Sequence, residues 1–187
     1  WIPLGAGAGG ALVRWSGRLY EALAAAAGRR RRCDLYHSAG EVHLDGVTST
    51  IEMAPVGITR GERGVVAEGA VGLGLLGRSR LFRYEVRCWR GGSIPDIAAA
   101  TGRVRVTDEP QLGRRVIELV ADFPAVTWGR DELGAGEMWN SNSVVAWALA
   151  RAGHDMGTIR PPPGGGGRRG GGGRRGPPPP GRPGRPW

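Results

Sequence analysis

Lysine is absent from this 187-residue chain, and all 26 basic residues are arginine. A phosphate-binding loop of the Gly-Lys-Ser/Thr type needs the lysine ammonium, so the glycine-rich stretch Gly5-Ala6-Gly7-Ala8-Gly9-Gly10 ahead of a helix does not make one. Cysteine is scarce as well. Cys33 and Cys88 are too few for a disulfide framework, and two thiols without nearby ligand partners make no zinc site. Both are expected to be reduced, in a cytoplasmic protein. No apolar run approaches the ~20 residues a membrane helix needs. Ile2–Val13 is broken by glycine and has no positive region before it, which argues against a signal peptide. No dinucleotide fingerprint, cofactor motif or metal-ligand spacing occurs, so any activity is expected to be cofactor-free and metal-free.

The charge that is present is unevenly placed. Of the formal net +9, residues 160–187 supply +7, with seven arginines and no acid. Residues 1–159 hold 19 arginines against 17 carboxylates, a net of only +2. The basic pI therefore says little about the folded part and nothing about nucleic acid. The tail is made of Pro161-Pro162-Pro163, glycine tetrads, arginine pairs and Pro177–Pro180, and cannot build a core. It reads as a disordered appendage of a single domain over 1–159. An arginine-glycine tail can bind nucleic acid by counterion release, but Trp187 is the only aromatic in it.

Within 1–159 the patterning is that of an α+β domain. Trp15–Ala27 has helical spacing and an alanine run, closed by Arg29–Arg32. From Asp34 the period changes to two. The strand from His37 runs to Asp45-Gly46, a turn pair, and Ser49–Met53 returns as its partner. Gly64–Ala67 is a short strand and Leu81–Trp89 a clean alternating one, with Gly69–Gly77 as a loop between them. Ile94–Ala100 forms a short helix, Glu109–Ala121 an amphipathic one, and Trp139–Gly153 a helix stopped by Gly153. The expected fold is a small antiparallel sheet of about four strands packed by helices.

The chemistry-bearing segment is Trp139-Asn140-Ser141-Asn142-Ser143, which runs straight into Val144–Ala150. Unpaired N–H groups and the positive dipole end of a helix favour an activated nucleophile or an oxyanion at that place. Ser141 falls in the first turn. Upstream, His37 enters from a strand and Glu52 lies on the paired return strand Ile51-Glu52-Met53-Ala54. Asn and Ser are equally the residues that cap helices, so the same stretch fits a plain N-terminus. Glu52 between Ile51 and Met53 also fits a solvent-facing strand position, and His43 a surface place near the turn. Asp131–Glu137 reads as a solvated loop with glycine hinges, or as a lid. Trp147 reads as core, while Trp128 and Trp139 are placed to line a pocket mouth.

The order of a histidine strand, an acidic strand and an Asn-Cys-x-Ser helix start resembles the circularly permuted papain-like hydrolases and acyltransferases. That superfamily includes the lecithin:retinol acyltransferase-like proteins and permuted peptidoglycan amidases. Asn140-Ser141-Asn142-Ser143 matches the pattern except that serine replaces the nucleophilic cysteine. The resemblance covers roughly 34–153 as element order. It implies acyl transfer or hydrolysis at an amide or ester, with Ser141 as nucleophile, His37 as base and Glu52 as its orienter. Asn140 and Asn142 become oxyanion donors and Trp139 a substrate contact. A serine needs a well-aligned base and oxyanion hole to react where a cysteine would not. The alternative is the same fold kept as a catalytically inactive binding or scaffold module.

Overall fold

The computed structural model describes residues 1–4, 6, 18, 22, 26, 29, 31–32, 34–56, 64–94, 96–133, 138–160 and 162–163. Cys33, most of the helix expected over Trp15–Ala27, and the tail beyond residue 163 lie outside the described residues. The described part is a mixed α+β structure with two antiparallel sheets.

The smaller sheet joins β1 (Ile2–Pro3) to β2 (Tyr36–His37), with Ile2 opposite His37. The larger has four strands in the order β3-β4-β6-β5, from β3 (Gly40–Leu44), β4 (Val47–Pro55), β5 (Val65–Ala70) and β6 (Arg83–Arg90). Asp45 and Gly46, at φ 51° and 75°, close the β3–β4 hairpin in the left-handed geometry that such two-residue turns require. Ser38 and Ala39 belong to no strand. The continuous strand expected from His37 to the turn is therefore broken in two, because Tyr36–His37 pairs with the distant Ile2–Pro3. Leu81 and Phe82 also lie outside their expected strand, in the 3-10 turn Arg80–Phe82. The expected loop Gly69–Gly77 begins as the end of β5 and continues into a 3-10 helix, Gly74–Arg78.

Two helices cover one face of the larger sheet. Helix α1 (Pro110–Ala121) starts with its proline in the first turn, where a missing N–H costs nothing. Helix α2 (Ser141–Ala152) starts with Asn140 as N-cap and ends at Gly153, whose φ of 99° satisfies the last carbonyls. Val116, Val120, Val144, Ala148 and Leu149 of these helices pack with Ile51, Met53, Tyr84 and Val86 of β4 and β6. Short-range signals thus set the helices, and apolar alternation sets which sheet face they cover.

The opposite face of β4 and β6 is polar yet buried. Register places Glu52 opposite Arg87 and Ala54 opposite Glu85, so these four share that face. Glu52, Glu85 and Arg87 are only 6%, 0% and 2% exposed. The alternation in the sequence is real, but its polar side does not meet water. Among the described residues no helix is long and apolar enough to cross a membrane.

Candidate functional site

The four polar residues at the start of α2 divide their tasks. Asn140 Oδ1 accepts from the Asn142 N–H at 2.9 Å, its Nδ2 donates to Met138 O at 3.1 Å, and its own N–H donates to Ser143 Oγ at 3.1 Å. Asn140 and Ser143 therefore form a capping box. The side chain of Asn142 donates from Nδ2 to Tyr36 O at 2.9 Å, which ties the helix start to β2, one residue before His37. Ser141 takes part in none of these bonds. It is the first residue of the helix and is 5% exposed.

His37 meets a carboxylate that the sequence did not single out. Its Nε2 lies 3.2 Å from Asp96 Oδ2, and both side chains are 12% exposed. Asp96 precedes the 3-10 turn Ile97–Ala99. The available signal was a lone carboxylate in the apolar run Ile94-Pro95-Asp96-Ile97, which pattern alone reads as a helix start.

Glu52, the expected orienter, has a different hydrogen-bond partner. It is held 3.4 Å from Arg87 NH1, while Arg87 Nε donates to Glu85 Oε1 at 2.6 Å. The cross-strand register accounts for this, since Glu52 faces Arg87 directly. The solvent-facing alternative for Glu52 fails with its burial. Burial pushes the Glu52 carboxyl above the ordinary range, and the Arg87 guanidinium is the largest influence pulling it back. The charges of His37 and Asp96 also reach it, in opposite directions. Glu52 thus sits within the electrostatic field of the His37–Asp96 pair without bonding to it.

The structure brings His37, Asp96 and Glu52 into one electrostatic cluster, and the Asn142–Tyr36 bond brings the helix start alongside. Among the described residues no hydrogen bond joins Ser141 to His37. The side chains proposed as oxyanion donors are already engaged, Asn140 in the cap and Asn142 on Tyr36 O. What they leave for that role is the helix terminus itself. Asn142 Oδ1 is buried without a hydrogen-bond partner among the described residues.

Trp139 is 6% exposed and packs on Phe123 at a ring separation of 5.3 Å, so it belongs to the core and lines no pocket mouth. Trp147 meets Phe123 edge-on at 5.2 Å, and Trp128 meets Tyr84 at 6.0 Å. His43 is a surface residue, with Nδ1 2.8 Å from Thr48 Oγ1. His154, just beyond the end of α2, has Nε2 3.1 Å from Thr158 Oγ1. Glu132 accepts from the Thr127 N–H at 2.8 Å, and residues 134–137 of the expected lid lie outside the described residues. Burial raises the Cys88 thiol pKa, which works against thiolate chemistry there. No group of His, Cys, Asp and Glu among the described residues is arranged to hold a metal ion.

A cavity of about 670 Å³ lies between β3, α1, α2 and the segment 102–110. Neither Ser141, His37, Glu52 nor Asp96 lines it. Its wall does include Ile2 opposite His37, Ile94 two residues before Asp96, and Val145 one helical turn after Ser141. Its wall thus holds chain neighbours of the cluster without including any of its members. No family model, no curated protein and no solved structure matches this chain.

Proposed function

We propose that the chain is a hydrolase or acyltransferase of circularly permuted papain-like architecture, acting on an amide or ester through Ser141 and His37. One observation carries the reading: in a capped helix start, Ser141 alone is exempt from capping and tying, yet it is buried, and its neighbour Asn142 bonds to Tyr36 O, one residue before His37. Asp96 takes the orienting role that the resemblance implied for Glu52.

The chemistry follows from the ring geometry. With Nε2 donating to the Asp96 carboxylate, neutral His37 carries its lone pair on Nδ1. Nδ1 takes the proton as Ser141 Oγ adds to the substrate carbonyl. The oxyanion forms at the helix N-terminus, where the Ser141 N–H and the dipole oppose its charge. His37 then returns the proton to the departing amine or alcohol. Water, or a second nucleophile in transfer, frees the acyl group by the same path. The cavity walled in part by Ile2, Ile94 and Val145 accommodates the non-reacting part of the substrate. Ser141 and His37 close on each other when substrate binds, as catalytic hydrogen bonds often do.

The missing Ser141–His37 bond favours a second reading, in which the same fold binds a ligand without turning it over. Hydrolysis of p-nitrophenyl acyl esters of graded chain length separates the two. Turnover should fall by about a thousandfold or more in both Ser141→Ala and His37→Ala. No turnover by folded native protein with any ester in the series would favour the binding module.

A further inference from the structure

The connection between β5 and β6 exposes apolar side chains that the fold does not use. Of the eight large hydrophobic residues exposed in the described structure, five fall between Leu73 and Phe82. Leu73 is 53% exposed, Leu75 70%, Leu76 38%, Leu81 89% and Phe82 45%. Leu75, Leu76, Leu81 and Phe82 sit on two short 3-10 turns, Gly74–Arg78 and Arg80–Phe82, which pack on each other, and Leu73 directly precedes the first. Exposed apolar side chains gathered on one projecting segment mark an interaction surface.

Charge decides what the surface meets. Arg78 and Arg80 are exposed within the same segment, and no carboxylate occurs between Val71 and Phe82. The nearest acid on β5, Glu68, is already paired with Arg83. A twofold contact between copies of this chain would bring four guanidiniums together with no counter-charge in the segment. Leucine and phenylalanine flanked by arginine match an anionic lipid surface, whose headgroups take the charge while the acyl boundary takes the apolar tips.

We propose that residues 73–82 form a peripheral docking loop for anionic phospholipid bilayers, with Leu75 and Leu81 inserted and Arg78 and Arg80 on the headgroups. The proposal stands apart from the Ser141 reading. The arginine-rich tail also carries positive charge, so the test keeps the tail in every protein.

Sedimentation of the full chain with phosphatidylcholine vesicles, with and without phosphatidylglycerol, measures the partition. Binding should require phosphatidylglycerol. It should weaken about tenfold for each of Leu75→Asp and Leu81→Asp and about fivefold for each of Arg78→Ser and Arg80→Ser. Because all four side chains are exposed, thermal melts of the variants should match the native protein. Binding left unchanged by the loop variants would assign it to another segment and overturn the proposal. Equal binding to neutral vesicles, no binding, or a native oligomer in gel filtration that Leu75→Asp dissolves would also overturn it.

Discussion

Arg87 is the residue on which the buried polar face depends. It stands between Glu52 and Glu85 where neither carboxylate meets bulk water, and it is itself 2% exposed. Removing the cation of such a cluster costs far more than the cluster contributes, because Glu52 is left a buried carboxylate without its guanidinium. Arg87→Met should therefore lower stability by about 3–5 kcal/mol at neutral pH. The sign of its pH dependence follows from Glu52. Its folded pKa is raised by burial, so its contribution to stability is full below the ordinary glutamate range and is lost as pH rises through the raised value. Without Arg87, the largest influence that lowers that pKa is gone and the effect grows. The deficit of Arg87→Met should shrink as pH falls toward the ordinary glutamate value. Urea midpoints across a pH series read it directly, and a deficit independent of pH would contradict the account.

At the scale of elements, helix α2 tests how the polar stretch is divided. Asn140→Ala removes the acceptor for the Asn142 N–H and should cost about 1 kcal/mol. Ser141→Ala removes none of the capping or tying bonds and should cost less than Asn140→Ala. Thermal melts of the two variants provide the comparison, and equal losses would make Ser141 part of the cap. This helix was legible in the sequence because its signals are local: polar N-terminal residues, an apolar body and a closing glycine. The β3–β4 hairpin was legible through Asp45-Gly46 for the same reason. The break after His37 was not, since it arises from pairing with Ile2–Pro3, more than thirty residues earlier. Leu81 and Phe82 continued the alternation of β6 perfectly well in sequence. Only the 3-10 turn over Arg80–Phe82 takes them out of the sheet and exposes them.

At the scale of the whole molecule, the α+β class and the four-stranded antiparallel sheet follow from patterning, while the site depends on contacts between distant segments. Asp96 reaches His37 across 59 residues, and Asn142 reaches Tyr36 across 106. No spacing rule links such pairs, which is why Glu52, near in the chain and of the right chemistry, was expected beside His37 where the structure places Asp96. Burial of both sheet faces was equally hidden, because Glu85 and Arg87 have the composition of a wet strand. The measurement that tests the central claim most directly is labelling by a serine-directed fluorophosphonate, with the modified peptide located by mass spectrometry. Native protein should be labelled at Ser141, labelling should vanish in His37→Ala, and it should slow far more in Asp96→Asn than in Glu52→Gln. Folded protein that takes no label at Ser141, or labelling indifferent to His37, would contradict the account and leave Ser141 as one more buried residue at a helix start.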